Sequence, residues 1–214
     1  EMLAKNDDES IVKFLSTHYY NDNLDDFSII ENGETSLLNS NNLKTQNITI
    51  TLDDIEIDYK WYTYVIEEGG NTSKGKPTNI DSLLLSFSSR ILIPETITEI
   101  DGVDSSVGNV LNASIIESEP FSWNPANIIG RGYGLTNFNP GINTTKEGER
   151  VSFENTGEGY IFIPGGLAYP STNFVPRTFQ EAANPDPRFD AIIVSKIEFF
   201  DFVRDTDHDN DGIP

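Results

Sequence analysis

Apolar side chains near the start of the chain recur at the spacing of one helical face. Within residues 8–20, DESIVKFLSTHYY, the positions on that face are Ile11, Phe14, Leu15 and His18 or Tyr19. Acidic residues precede them, as is common in the first turn of a helix. The pattern predicts an amphipathic helix with His18 packed on or beside its apolar side. A metal-ligand role for His18 is disfavoured because no partner histidine or cysteine lies near it in the sequence.

Alternating apolar and polar residues replace the helical spacing from residue 47 onward. Five segments are rich in β-branched and aromatic residues, which is typical of strands: NITITL (47–52), IEIDYKWYTYVI (55–66), DSLLLSFSSRILI (81–93), VSFENTGEGYIFIP (151–164) and DAIIVSKIEFFDF (190–202). Residues 21–46 show no period, which predicts loops or short irregular strands. The best helix candidate after residue 20 lies near 128–138 and contains three glycines. We therefore predict an α+β fold that is mostly antiparallel sheet, with one or two helices.

Composition narrows the classes of function. The 214 residues carry 35 acidic and 14 basic side chains, a formal net charge of −21. Nucleic-acid binding is disfavoured because phosphate contacts need Lys and Arg, and docking on anionic lipid is disfavoured for the same reason. The absence of cysteine excludes disulfides and thiolate metal sites. No apolar stretch approaches the roughly 20 residues of a membrane-spanning helix, and we expect a monomer.

One short stretch, IFIPGGLAYP at residues 161–170, combines several signals of a strand end. Pro164 cannot donate to a sheet ladder, so Ile163 ends a strand or lies on its edge. Gly165 and Gly166 permit backbone angles that are closed to other residues. Tyr169 then follows the turn, with its hydroxyl free to point into a cleft.

Several motifs follow one another in a fixed order along the chain. They are YVIEEGG (64–70), DSLLLSFSSRIL (81–92), DGVDSS (101–106), EPFSW (119–123), IIGRGYGL (128–135), IFIPGGLAY (161–169) and IIVSKIEFFDF (192–202). Over roughly residues 59–203 this succession resembles the FKBP-type peptidyl-prolyl cis-trans isomerases, and IPGGLAYP is its most specific piece. The resemblance implies a twisted antiparallel sheet wrapped around a short helix, here with an N-terminal helical extension.

The same resemblance implies an apolar, aromatic-lined cleft that binds X-Pro peptides. Tyr169 matches the tyrosine that reaches over the cleft and hydrogen-bonds the peptide. Asp104 takes the place of the acidic cleft residue, and Ile129 matches the isoleucine whose backbone amide anchors the peptide. The positions implied for the remaining cleft wall and floor are Phe87, Val103, Phe121, Tyr133 and Trp123.

Ordinary structural roles remain open for several of these positions. Phe87 and Phe121 also fit a hydrophobic core, Asp104 also fits the cap of a turn, and Tyr133 also fits a cover over the short helix. The chain departs from the family pattern where Phe87 replaces a cleft tyrosine and Ser195 replaces an inward phenylalanine. These departures bear on turnover more than on fold.

The chain ends in DTDHDNDGIP, with a carboxylate at every second position. Asp207, Asp209 and Asp211 match the first oxygen ligands of a calcium loop, and Gly212 matches its turn. The stretch also resembles the Asp-rich repeats of thrombospondin type 3. The closing acid would lie beyond Pro214, so within this chain a repelling acidic tail is favoured, and calcium binding is favoured in a longer protein.

The leader, core and tail together resemble envelope lipoproteins of Bacteroidetes-type bacteria, in which a lipidated cysteine precedes the mature sequence. We therefore expect a periplasmic or cell-envelope location, with a lipid anchor upstream of the sequence. The expected organisation is an N-terminal helix with an irregular leader (1–46), an FKBP-like domain (47–203) and the acidic tail (204–214).

Three functions follow as hypotheses. The first is a prolyl isomerase that acts on X-Pro bonds of exported, unfolded proteins and needs no catalytic cofactor. The second is a non-catalytic FKBP-like module that holds a peptide or partner in the same groove, and the third is a spacer whose only ligand is calcium. The core motifs favour the first two, and we rank isomerase activity first.

Overall fold

The computed structural model describes residues 2–52, 54–78, 81–93, 96–100, 103–107, 110–111, 116–117, 122–125, 134–169 and 188–204. Between residues 96 and 125 it describes the backbone alone. Within these ranges, no helix combines the length and the apolar character needed to cross a bilayer.

The predicted amphipathic helix is present, with shifted ends. Helix α1 spans Met2–Thr17 and buries one stripe of side chains: Ala4, Asp7, Ile11, Phe14 and Leu15. It ends before His18 because that residue begins strand β1 (His18–Asn21), which pairs with β2 (Asp26–Ile29) as an antiparallel hairpin. The His18 ring stacks on Phe14 at 3.9 Å between centroids, which confirms its predicted place beside the apolar face.

The segment between α1 and residue 47 contains short strands, which was one of the two alternatives predicted for residues 21–46. After the β1–β2 hairpin, a 3-10 helix spans Leu37–Asn39, and the side chain of Ser36 accepts a hydrogen bond from the Asn39 amide. Strand β3 then begins at Leu43, ahead of the predicted start at residue 47. Periodicity misses these elements because each exposes most of its side chains or spans only a few residues.

One antiparallel sheet dominates the molecule. Its strands are β3 (Leu43–Leu52), β4 (Ile55–Glu68), β5 (Ser82–Ile93), β10 (Ser122–Pro125), β13 (Gly157–Ile163) and β14 (Ile193–Val203). They lie in the order β10-β5-β14-β13-β4-β3, and two short strands, β8 (Val110–Leu111) and β9 (Ile116–Glu117), also pair with β5. Two separate hairpins join β6 (Thr96–Ile100) to β7 (Val103–Val107) and β11 (Ile142–Asn143) to β12 (Phe153–Glu154).

All five predicted strand segments are confirmed. The segment at 151–164 is divided into β12 and β13, because Asn155 takes a positive φ of 51° and interrupts the extended chain. The fold class is confirmed as α+β, built on an antiparallel sheet with an N-terminal helix.

The sheet is covered on both faces. Along β13, Ile161 and Ile163 belong to one apolar cluster, whereas Tyr160 and Phe162 belong to another. This division follows from the alternation of side chains along a strand. The inner face is the one that carries Ile161, and the buried Leu135, Phe138 and Leu167 pack there. The outer face is the one that carries Phe162, and Ile11, Phe14, Leu15 and Leu37 of the N-terminal segment cover it.

Polar contacts fasten the N-terminal segment to the outer face. The Arg90 guanidinium binds both carboxylate oxygens of Asp26, at 2.8 and 2.5 Å. Lys196 pairs with Asp25, and the Tyr160 hydroxyl donates to the Asp25 carbonyl at 3.0 Å. The α1 helix and the β1–β2 hairpin are therefore integral to the packed structure.

Candidate functional site

A one-turn helix carries the chain from the end of β13 to Tyr169. Helix α2 spans Gly165–Ala168, directly after Pro164. The Leu167 and Ala168 amides donate to the Pro164 carbonyl at 3.0 and 3.1 Å, and the Tyr169 amide donates to the Gly165 carbonyl at 3.3 Å. The strand end predicted at Ile163 is confirmed.

The two glycines of this turn allow neighbouring atoms to approach the backbone closely. Neither Gly165 nor Gly166 has a positive φ, so the expectation that they supply unusual backbone angles is wrong. A Cβ on Gly165 would lie 2.1 Å from the Asp190 carbonyl oxygen, and a Cβ on Gly166 would lie 2.3 Å from the Tyr59 hydroxyl. Glycine is needed at both positions because the turn is wedged between β4 and the residues that precede β14.

Tyr169 lies at the margin of the inner apolar cluster. Its side chain is half-buried and packs against that cluster. The Arg188 guanidinium lies over its ring, 5.0 Å from the centroid, which is within the range of a cation–π contact. Its carbonyl accepts a hydrogen bond from the Asp190 amide at 3.0 Å. The Tyr169 side chain is thus in contact with both the inner apolar cluster and the Arg188 guanidinium.

Phe87 lies at the margin of the same cluster. It is half-buried in β5, opposite Ile197 of β14, and packs against the inner cluster. Phe87 and Tyr169 are the two predicted cleft residues whose side chains the structure describes. Both are half-buried and pack against the same apolar cluster.

A pair of buried serines lies on the inner face beside Phe87. Ser89 and Ser195 are directly opposite each other in the sheet, 1% and 0% exposed, with their hydroxyl oxygens 2.7 Å apart. Ser195 is the position at which the resemblance places an inward phenylalanine. Ser195 fills less space than a phenylalanine would, and its hydroxyl group forms a hydrogen bond with the Ser89 hydroxyl group.

The other predicted site residues are described in part or not at all. Asp104 and Val103 belong to β7, where Asp104 is paired with Glu99, and Trp123 belongs to β10, paired with Leu84. Six residues lie outside the described ranges: Ile129, Phe121, Tyr133, Asp207, Asp209 and Asp211. Their predicted roles, calcium binding by the tail included, stay predictions.

A cluster of polar groups behind the turn was not anticipated from the sequence. The Asp7 carboxylate of α1 is only 6% exposed and accepts a hydrogen bond from the Gly165 amide at 2.8 Å. Burial, together with the nearby Asp190 carboxylate, raises the pKa of Asp7 to about 6, although the Gly165 hydrogen bond opposes the shift. Burial also raises the pKa of Tyr59, and both carboxylates add to that effect.

The sequence does contain a signal for this cluster. Asp7 precedes Ile11 by four residues and Phe14 by seven, so it lies on the apolar stripe of α1. A carboxylate at such a position needs a buried donor, because an unpaired buried charge is strongly unfavourable. The identity of that donor could not be inferred from spacing alone.

Metal coordination finds no support among the described side chains, where no three His, Cys, Asp or Glu groups gather closely enough to hold an ion. The tail aspartates, which carry the predicted calcium site, are outside this part of the chain.

Comparisons with known proteins give fold-level similarities only. No family model matches the sequence, and no curated protein matches it. Among solved structures, the chain is similar to a peptidyl-prolyl cis-trans isomerase from Pseudomonas syringae pv. tomato, at 14% identity and a TM-score of 0.38, over 67% of this chain and 76% of that one. It is also similar to FkpA from Escherichia coli, at 17% identity and a TM-score of 0.35, over 72% of this chain and 51% of that one. Similarity at this level carries no argument about activity.

Proposed function

We propose that this chain is a peptidyl-prolyl cis-trans isomerase that acts on X-Pro bonds of exported proteins, in an apolar cleft on the inner face of the sheet. The observation that supports it best is the placement of Tyr169. The residue follows α2 directly, and its half-buried side chain packs against the cluster that Phe87 also contacts. An envelope location and a lipid anchor belong to this proposal and rest on the sequence resemblance.

Isomerisation of an X-Pro bond requires mainly a pocket of the right shape and low polarity. Rotation about an X-Pro bond breaks amide resonance, with a barrier of about 18–20 kcal/mol. The twisted amide is less polar than the planar one, so an apolar pocket favours it relative to the planar ground state. The Tyr169 hydroxyl holds the flanking peptide, and the Asp104 carboxylate meets the displaced carbonyl edge. No nucleophile or proton relay takes part.

A protease-coupled assay with an Ala-Xaa-Pro-Phe peptide tests the proposal. We expect the chain to accelerate isomerisation, and Tyr169→Phe and Asp104→Ala each to lower kcat/KM by about tenfold, which corresponds to about 1.4 kcal/mol of transition-state stabilisation. Tyr19→Phe is the matched control, because it removes a phenol hydroxyl from the β1–β2 hairpin. A wild-type rate equal to the uncatalysed rate would refute isomerase activity.

A non-catalytic peptide-binding module is the second candidate. It is favoured by the buried Ser89–Ser195 hydrogen bond, because small polar side chains stand where the resemblance places a cleft aromatic ring. Phe87 adds to this because it lacks the hydroxyl of the matching tyrosine. If the chain is such a module, isothermal titration calorimetry should show that it binds the same Ala-Xaa-Pro-Phe peptide and that Tyr169→Phe weakens this binding. The coupled assay should then show no acceleration of isomerisation by the wild-type chain.

A further inference from the structure

The N-terminal helix reaches across to the turn that carries Tyr169. Asp7 and Gly165 are 158 residues apart in the chain, yet the Gly165 amide donates to the Asp7 carboxylate Oδ2 at 2.8 Å. Asp7 is 6% exposed, so this hydrogen bond forms away from bulk water. A hydrogen bond to a charged, buried group is among the stronger ones in proteins.

The backbone of Gly165 hydrogen-bonds to both Asp7 and Tyr169. Its amide donates to Asp7, and its carbonyl accepts from the Tyr169 amide at 3.3 Å. The Tyr169 carbonyl in turn accepts from the Asp190 amide at 3.0 Å. The backbone of Tyr169 is therefore held from both sides, on one side by a residue that Asp7 anchors.

The turn that contains Gly165 and Gly166 is closely packed by β4 and by the residues before β14. A side-chain carbon at Gly165 would overlap the Asp190 backbone, and one at Gly166 would overlap the Tyr59 hydroxyl. The groups that face Asp7 are the Gly165 amide of α2, the Tyr59 hydroxyl of β4 and the Asp190 carboxylate before β14. A change in the charge or acceptor capacity of Asp7 is consequently transmitted to a tightly packed turn.

We propose that Asp7 is a positioning residue, which orients the turn that presents Tyr169 by accepting the Gly165 amide hydrogen bond. The N-terminal helix thereby takes part in the site, although α1 supplies no residue to the predicted cleft. What Tyr169 contacts in a bound peptide rests on the proposed function. The positioning itself rests on the contacts among Asp7, Gly165, Tyr169 and Asp190.

The arrangement also makes the turn sensitive to pH. The pKa of Asp7 is about 6, so its carboxylate gains a proton as the pH falls from 7 to 5. The charge-assisted hydrogen bond from Gly165 then becomes one to a neutral carboxyl group, and the repulsion from Asp190 is relieved. Both changes act on the backbone that leads to Tyr169.

Backbone amide NMR of the whole 214-residue chain, recorded between pH 4.5 and 8, tests the positioning without any ligand. We expect the Gly165 and Tyr169 amide resonances to shift together, with a midpoint near the Asp7 pKa of about 6. Asp7→Asn keeps an acceptor oxygen but cannot titrate, so it should abolish that midpoint. Glu9→Gln is the matched control, since it removes an exposed carboxylate of α1 that pairs with Lys5, and it should leave the midpoint in place.

A second measurement separates positioning from a general loss of stability. At pH 7, Asp7→Ala should raise KM, or the dissociation constant, for an Ala-Xaa-Pro-Phe peptide about tenfold, and Asp7→Asn should restore most of the affinity. Folding of each variant is verified in its own amide spectrum.

The outcomes distinguish this inference from the proposed function. A Gly165 midpoint that persists in Asp7→Asn, or a Gly165 shift that leaves Tyr169 unmoved, would overturn the positioning role. Equal peptide affinities for Asp7→Ala and the wild type would also overturn it. Coupled Gly165 and Tyr169 shifts in a chain that binds no X-Pro peptide would support the positioning and refute the proposed function.

Discussion

The ionised carboxylate of Asp7 reduces the stability of the folded chain at neutral pH. It lies on the buried stripe of α1, beside a second carboxylate, and the Gly165 amide compensates only part of the loss of hydration. Residues that lower the stability of a protein are common at functional sites. At the scale of single residues, Asp7 therefore links stability to the turn that carries Tyr169.

The stability of Asp7→Asn should depend on pH. The Asp7 pKa is raised from 3.8 to about 6 in the folded chain, so the stability contributed by its protonation is complete below pH 3.8 and is lost as the pH rises through 6. Above pH 7 we expect Asp7→Asn to be more stable than the wild type by up to about 3 kcal/mol, and near pH 4 we expect little advantage. Urea unfolding at each pH measures the difference, with Glu9→Gln as control. A difference that is constant with pH would contradict the assignment.

Gly165→Ala should destabilise the chain through steric overlap. The new Cβ would lie 2.1 Å from a backbone oxygen of Asp190, and a backbone atom moves aside less easily than a side chain. We expect a loss of about 3 kcal/mol. Gly33→Ala is the control: its φ is +84° and no atom lies within 4 Å of the new Cβ, so only backbone strain of about 1 kcal/mol applies. Equal losses in urea unfolding would disprove the packing role of Gly165.

At the scale of elements, the outer face of the sheet depends on α1 and the β1–β2 hairpin. Phe14 is 1% exposed and lies 5.8 Å from Phe162 between ring centroids. Its ring also meets Phe27 of β2 edge-on at 5.5 Å. The N-terminal segment and the sheet therefore share one aromatic cluster, and removal of either side exposes the other to water.

Phe14→Ala should reveal how much this layer contributes to stability. Truncating a fully buried phenylalanine typically costs about 3–5 kcal/mol, because the cavity left between α1 and the sheet collapses only partly. Leu24→Ala is the matched control, since Leu24 lies in the hairpin turn and is 66% exposed, and it should change stability by no more than about 0.5 kcal/mol. Thermal and urea unfolding measure both. A small effect of Phe14→Ala would mean that the packing of α1 against the sheet contributes little to stability.

At the scale of the whole molecule, acidic residues far outnumber basic ones. Of the 14 basic residues, those that form ion pairs with described carboxylates include Lys5, Lys60, Lys74, Arg90, Lys196 and Arg204. Because the net charge of −21 already counts all 14 basic residues, 21 of the 35 acidic charges have no basic residue to balance them. Repulsion among the uncompensated carboxylates opposes the compact state.

Added salt should therefore stabilise the chain at neutral pH. Raising NaCl from about 10 mM to about 500 mM shortens the screening length from about 30 Å to below 8 Å, so we expect Tm to rise by several degrees at pH 7. At about pH 4.5, where many carboxylates are protonated, the same addition should have a much smaller effect. Thermal unfolding followed by circular dichroism at both pH values measures this. A fall in Tm with salt at pH 7 would show that the ion pairs outweigh the net repulsion.

The sequence alone was sufficient to predict five strand segments, the amphipathic helix and the end of β13 at Ile163. These features are local: alternation records which side chains share a face, and proline removes a backbone donor wherever it stands. The order of motifs also placed Tyr169 directly after a turn. Local signals of this kind do not depend on which distant segment covers a face.

Which segments contact each other could be seen only in the folded structure. It brought the Asp7 carboxylate to the Gly165 amide, laid α1 over Phe162 on the outer face, and showed that Gly165 and Gly166 are small because other backbone and side-chain atoms approach them. The physical reason is that hydrophobic periodicity defines a buried face without specifying its partner. The partner is set by the path of the whole backbone and by the packing of both faces of the sheet.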